Sequence, residues 1–524
     1  MGEVLDKLTI QKQARVARDK IQTVAELARI AEEVRELRRS VVLCHGVFDL
    51  VHMGHVRHLE AARREGDVLC VTVTADRFVN KGPGRPIFSQ AVRAEMLAAL
   101  EYVDYVAVND GADAEALLDL IKPDVYVKGS DYENPEDDIT SKITSERQAV
   151  ERHGGRLVFT HDITFSSSSL INRYLDVYDP PLRDFLDSIR TDGGPERLRD
   201  LIDRVSTMNV VLVGEGIIDE YQYVGSLGKS AKENIIATQY QSTEVFAGGV
   251  FAAANHVAGF CASVDLVTCL ARDCPHEPMI RQNLKPNVRL HVVRIGDRPT
   301  TRKLRFIDQS GYMRKLFEVY FMDDRPLGKA DRDALSAMVA EKARAADLVI
   351  VNDFGHGMIG PEVIDVVRNS ARFVAVNAQT NAGNQGYNLV TKYKKADYVC
   401  IDAPEARLAT GDKYSDIERV VGEVLPRLTE SEKVIVTHGS FGSYTYTAGE
   451  GVTRIPAFTK TVVDTVGAGD AFFAVTAPLV AAGGKMSDVG FIGNAAGAIK
   501  VGIVGHRQSV EKIPLMKFVN ALLK

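Results

Sequence analysis

The chain has no surplus of basic charge, no paired cysteines and no long apolar run, and each absence narrows what it can do. A formal net charge of −6 over 524 residues argues against a general nucleic-acid binder, where a basic face is expected. Its 6 cysteines, at 44, 70, 261, 269, 274 and 400, form no C-x-x-C pair and no disulfide-framework spacing, so reduced thiols are expected. No stretch reaches the ~20 apolar residues that a membrane helix needs. The N-terminal segment is charged and helical in pattern, without the apolar centre of a signal peptide. These features lead to the expectation of a cytoplasmic enzyme that engages neither membrane nor nucleic acid.

A content of 45% hydrophobic and 26% charged residues is that of a soluble globular protein, and the length calls for more than one core. Residues 1–38 carry apolar positions at helical spacing and predict a helical extension. From 39 to 176, apolar strand patterns (41–44, 68–73, 105–108, 125–127, 156–159) alternate with helical ones (55–65, 89–100, 113–121). That alternation predicts a parallel sheet covered on both faces. A polar stretch with prolines, 177–207, predicts a helical linker. A second α/β alternation opens at Asn209-Val210-Val211-Leu212-Val213-Gly214 and runs through 208–524. The fold class is α/β, with two doubly wound domains in tandem.

The most informative segment is Asp464-Thr465-Val466-Gly467-Ala468-Gly469-Asp470-Ala471-Phe472. Its glycines let the backbone approach a ligand, and the apolar run that follows begins a buried helix. Free amides and the helix dipole at such an N-terminus suit phosphate, and Asp470 is placed to take a proton from an attacking hydroxyl. A glycine turn with a capping aspartate is the plainer alternative. The nonapeptide resembles the C-terminal signature of the ribokinase-like (PfkB) carbohydrate kinases. That resemblance extends over 208–520, through Gly214-Glu215-Gly216-Ile217-Ile218-Asp219, Phe246-Ala247-Gly248-Gly249 with Asn255, Asn352-Asp353-Phe354-Gly355-His356-Gly357, Asp402-Ala403-Pro404-Glu405 and Thr437-His438-Gly439-Ser440-Phe441-Gly442-Ser443. It implies Asp470 as the base and the amides of Gly467, Ala468 and Gly469 as the anion-stabilising turn. It further implies acceptor binding by Asp219, Gly248, Gly249 and Asn255, and ATP binding by Thr437, Gly439, Gly442 and Asn494. Asp402 and Glu405 would organise Mg2+ through water.

In the first domain, His45-Gly46-Val47-Phe48-Asp49-Leu50-Val51-His52-Met53-Gly54-His55 follows the first strand, where doubly wound sheets bind ligands. Two imidazoles at a helix start can donate hydrogen bonds to phosphates. Histidines at this spacing can also bind metal, but no third ligand with zinc-type spacing is near. The segment resembles the H-x-G-H motif of cytidylyltransferase-like nucleotidyltransferases. With Asn80 to Pro86, Arg93, Lys128 to Tyr132 and Ser166 to Ser169, it looks most like the adenylyltransferase half of bacterial ADP-heptose synthesis enzymes. The resemblance implies that His52, His55 and Lys81 stabilise the reacting phosphates. Gly46, Phe48, Arg85, Lys128, Ser167 and Ser168 would line the nucleotide. A tRNA-synthetase reading of H-x-G-H is disfavoured by the acidic chain.

Departures stand beside both resemblances. Asp402 replaces the asparagine of the kinase N-x-x-E motif, Asn377-Ala378-Gln379 stands where heptose kinases have Asp-Pro-Lys, and His356 replaces their lysine. The order of the two halves is inverted relative to the heptose enzymes. The resulting expectation is a bifunctional enzyme of nucleotide-sugar synthesis, acting on sugar phosphates with ATP (or CTP in the first domain) and Mg2+, as a homodimer. The alternatives are a cytidylyltransferase paired with a polyol kinase, and a protein with one silent half.

Overall fold

The computed structural model describes residues 16–79, 85–111, 113–130, 142–161, 171–172, 178–310 and 313–524. The chain divides into two compact units between Tyr178 and Asp179, with 520–522 and 524 grouped with the first. The predicted linker forms two helices, Pro180–Thr191 and Gly194–Arg204, that belong to the second unit. Asp179 caps the first of these, accepting from Leu182 N–H, with proline in the opening turn where its missing donor costs nothing.

In the first unit, strands β1 (Ile21–Gln22), β2 (Val41–Gly46), β3 (Val68–Thr74), β4 (Tyr105–Asn109), β5 (Val125–Gly129) and β6 (Arg156–Thr160) form one sheet in the order β1-β4-β3-β2-β5-β6, all parallel. Val41, Val42, Leu43 and Cys44 are completely buried, as continuous apolar strands in a sheet covered on both faces must be. The chain winds outward from β2 through β3 to β4 and then returns to β5, so strand order reverses between β2 and β5. Helix Met53–Arg63 leaves the carboxyl end of β2 at that reversal.

The second unit holds a nine-stranded sheet. Strands β7 (Asn209–Gly214), β10 (Ser263–Ala271), β11 (Val288–Ile295), β14 (Leu348–Asp353), β15 (Val374–Ala378), β16 (Tyr398–Asp402) and β17 (Lys433–Thr437) are parallel; β18 (Ser443–Thr447) and β19 (Gly451–Ile455) continue it antiparallel. The order β11-β10-β7-β14-β15-β16-β17 reverses direction between β7 and β14. The sequence reading did not foresee a separate four-stranded sheet, β13 (Arg314–Phe321), β12 (Thr301–Asp308), β8 (Gly216–Lys229) and β9 (Ile236–Gly249). β8 and β9 are buried only at the ends nearest β7 and exposed at the far ends, which erases the period-two pattern that marks a strand.

Candidate active sites

In the first unit, the loop after β2 is shaped by local hydrogen bonds. His52 caps helix Met53–Arg63 by accepting from Gly54 N–H at Nδ1 (3.1 Å), and His55 Nδ1 accepts from His52 N–H (3.4 Å). The rings stack with centroids 3.9 Å apart. Because both Nδ1 atoms accept, the neutral imidazoles carry their protons on Nε2, the form that donates to an anion. Burial lowers the proton affinity of His52, which favours this neutral state. Phe48 sits edge-on to His55 (5.2 Å) with a left-handed backbone (φ 50°), and a Cβ at Gly46 would press on its ring at 3.1 Å.

Among the described residues, the cations expected at this site are partnered. Arg85 lies completely buried against Asp49 (3.1 Å) and also donates to Asn172 Oδ1 (2.9 Å). Lys128 pairs with Glu146 (2.9 Å), which also accepts from Tyr126 OH. Arg85 and Lys128, expected to line the nucleotide, are thus each held in an internal ion pair in this structure. Arg93, fully buried, donates to the carbonyls of Phe88, Val47 and Thr74 and to Asp76, fixing the loop to the end of β3. Lys81, Ser167 and Ser168 lie outside the described residues.

In the second unit, Gly467 takes the left-handed turn (φ 73°) that starts helix Ala468–Ala481, and Asp470 stands in its first turn. Ala468 N–H turns to Thr465 O, whereas a Cβ at Gly469 would meet open space, leaving room for a ligand before the helix start. Asp470 is buried and accepts from Gln379 Nε2 (3.2 Å). Burial pushes its proton affinity up to about 6, with His506, Lys303 and Lys500 pulling it back and Asp219 adding to it. A carboxyl poised there suits a general base.

Asp219, on β8, is ion-paired with Arg305 and accepts from His506 Nε2 (3.1 Å). Burial raises its proton affinity, but His506 and Arg305 together hold it well below the usual carboxylate range. A Cβ at Gly248 would fall 1.9 Å from Asp219 Oδ2, so only glycine fits, and Gly249 needs its positive φ of 55°. Lys303 is buried on β12 beside these acids, and burial lowers its proton affinity. At the reversal between β7 and β14, buried Glu215 accepts from Phe354 and His356 N–H (2.9 and 3.2 Å); burial and the charge of Asp353 push it up to about 7.

Asp402 and Glu405 form a reciprocal capping box, Glu405 N–H to Asp402 Oδ1 (2.8 Å) and Asp402 N–H to Glu405 Oε2 (3.0 Å), and Glu405 also accepts from Thr380 N–H (2.9 Å). Burial, then the charges of Asp402 and Asp470, push Glu405 up to about 8. Among the described residues no group of three or more histidines, cysteines or acids could hold a metal directly. Thr437 pairs in register with Asp402, which brings the Gly439–Gly442 turn to the same sheet end. Two expected residues have other occupations. Asn255 is engaged by Asn283 O (2.8 Å) and Lys285 N–H (2.9 Å), and the Asn494 amide donates to Ile455 O and Pro456 O (3.2 and 2.7 Å).

The sequence reading missed Lys303, Arg305, Lys500 and His506. Lys303 and Arg305 had a signal, since two cations two apart in a strand share a face; His506 reaches Asp219 only through tertiary folding. It also missed the purpose of the asparagines after β15. Asn381, Asn384 and Asn388 donate to backbone carbonyls of Phe354, Gly355 and Asp353, pinning the turn that carries His356.

The pfkB family carbohydrate kinases match residues 207–513, more than half of the sequence. The chain belongs to this family. Ahead of the pfkB kinase region, a cytidylyltransferase-like domain matches residues 43–173. The chain is 37% identical over 163 residues to the Bifunctional protein HldE of Syntrophotalea carbinolica, covering 30% of this chain and 32% of that protein. To the protein of the same name from Aliarcobacter butzleri it is 41% identical over 138 residues, 26% and 29% of the two chains. It thus spans about a third of the length of these curated relatives. The pfkB kinase fold is shared with phosphofructokinase-2 from Escherichia coli, solved in complex with substrates and products, at 15% identity and a TM-score of 0.50, covering 61% of this chain and 100% of that one.

Proposed function

We propose that the protein is a bifunctional enzyme of nucleotide-sugar synthesis. The second unit phosphorylates a sugar or sugar phosphate with ATP, and the first transfers a nucleotidyl group from a nucleoside triphosphate, ATP by preference, to a sugar 1-phosphate with release of pyrophosphate. The observation that carries the kinase half is Asp470, buried in the opening turn of a glycine-led helix with its proton affinity raised to about 6. It would accept the proton of the acceptor hydroxyl while the turn at 467–470 holds the transferring phosphoryl group. Mg2+, when bound, would neutralise the ATP phosphates; Glu405 and Asp402 would hold it through water, and Glu405's resistance to ionising without a cation supports that role. In the first unit, Nε2–H of His52 and His55 would hydrogen-bond the phosphate that develops charge as pyrophosphate leaves. The attacking sugar phosphate is already anionic, so positioning and charge neutralisation suffice.

The resemblance of the first-domain motifs to ADP-heptose synthesis enzymes favours a heptose-type acceptor, while Gln379 and His356, in place of two lysines, favour an acceptor that differs from the heptose kinases' at that end. The test is a panel of sugars and sugar phosphates offered with ATP and with CTP, products read by mass. A phosphorylated sugar and a nucleotide-sugar are expected; turnover of no acceptor by either unit would sink the reading. A second copy of the chain is the proposed partner, supported by exposed Phe317, Val319 and Phe321 at alternate positions of β13. Light scattering that gives a monomer at micromolar concentration would remove it.

A further inference from the structure

Lys500 is the last residue of helix Met486–Lys500, and its side chain is completely buried. Its Nζ donates to Val466 O (2.8 Å) and Gly505 O (2.7 Å). Asp464 treats the same two residues from the other side of the peptide: Oδ1 accepts Val466 N–H (3.1 Å) and Oδ2 accepts Gly505 N–H (2.8 Å). Two segments far apart in sequence are therefore clamped, each with its N–H on a buried anion and its C=O on a buried cation. Asp464 is completed by Lys315 Nζ (2.7 Å) and Tyr221 OH (2.8 Å). The clamp ends one residue before Gly467. There a Cβ would meet the His506 ring at 2.7 Å and Lys500 Cε at 3.5 Å, so the turn rests on the Lys500 stem.

A buried ammonium with only carbonyl partners is costly to maintain, and a purely structural position of this kind is better served by an apolar side chain. We infer that Lys500 is a positioning residue of the kinase reaction, a tethered small cation that holds the Val466–Gly467 peptide so that the amides before Asp470 face the transferring phosphoryl group. This rests on the kinase reading above. Its charge is in place at neutral pH: burial pushes the ammonium down only to about 8, Asp464, Asp470 and Asp219 sustaining it against Lys315. His256, buried nearby, is kept neutral by burial and by Lys500.

The test uses the full chain with Lys500→Ala and Lys500→Gln, the second guarding against a cavity that prevents folding. Either change is expected to lower kinase kcat by about 10²-fold with acceptor KM held within about threefold, the cost of a misplaced but intact binding turn. Ammonium chloride is expected to restore at least about tenfold to Lys500→Ala, because the vacated site matches the ion's size and donors, while tetramethylammonium restores nothing. Amide exchange at 464–470, measured without any acceptor, should quicken about tenfold in both variants and slow again with ammonium. Retention of kcat, or a loss that ammonium does not relieve, overturns the inference. If the wild type turns over no acceptor, the kinase reading falls and the exchange measurement alone decides Lys500, unchanged exchange counting against it.

Discussion

In the first unit, Arg85, Arg93 and Lys128 are each closed onto acids or carbonyls of their own fold, and the groups proposed to meet the nucleotide are the imidazoles of His52 and His55, whose Nδ1 atoms accept backbone hydrogen bonds. In the second, three buried acids keep raised proton affinities, Glu215 at about 7, Glu405 at about 8 and Asp470 at about 6. On the proposed function, the difference follows from what each reaction asks. Nucleotidyl transfer needs donors beside an anion that attacks unaided, so charge can be locked away as scaffold. Phosphorylating a neutral hydroxyl needs a base, so Asp470 is left without a direct ion pair among the described residues, although Lys303, Lys500 and His506 act on it from nearby.

The largest effects should separate the two sites. Asp470→Asn is expected to reduce sugar phosphorylation by about 10³-fold or more, the scale of a lost general base, while pyrophosphate release by the first unit stays within about twofold. Loss of both activities would mean that the sites are not independent. Next, His52→Ala combined with His55→Ala should lower nucleotidyl transfer by about 10²-fold or more, as removal of aligned donors does, with phosphorylation unaffected. A weak effect here would shift the transferase burden onto other groups.

The two α/β alternations and the order of motifs were readable because parallel strands buried on both faces are continuous apolar runs and because phosphate turns need glycine at fixed places. Asp470, Gly248 and the paired histidines were singled out on that basis. Charge partnership was not readable. Whether Lys128 is free depends on Glu146, eighteen residues away on another element, and whether Asp219 is bare depends on Arg305 and His506, brought in from β12 and the C-terminal segment. Asn255 and Asn494 carry the right residue type in the right order, yet their carboxamides are engaged by backbone groups that only folding supplies. The four-stranded sheet escaped because its two long strands, β8 and β9, are half in and half out of the core.

The contrast in charge also predicts different pH responses. With Asp470 at about 6, phosphorylation should fall about tenfold per pH unit below that value, since the base works only when deprotonated. The transferase, whose His52 is held neutral by burial, should show no limb at that position. Rate profiles of both activities from pH 5 to 8 on one preparation provide the comparison, and parallel profiles would contradict it.

The smallest effect is on stability, and its sign is opposite to intuition. Asp470 titrates at about 6 when folded and near 3.9 when unfolded, so the folded state holds the proton more tightly. Linkage then makes this group's contribution to stability fall as pH rises from about 4 to 6, and above that window the ionised buried carboxylate costs up to about 3 kcal/mol. Asp470→Asn removes the charge and keeps the shape. At pH 7.5 the variant should melt a few degrees above the wild type, a gain that shrinks to nothing by pH 4, where the wild-type carboxyl is protonated as well. Calorimetry at the two pH values reads this directly. A variant that melts lower at pH 7.5 would show that Asp470 is stabilised by Lys303, Lys500 and His506 as a structural anion, and the site would then resemble the first unit's paired charges rather than stand against them.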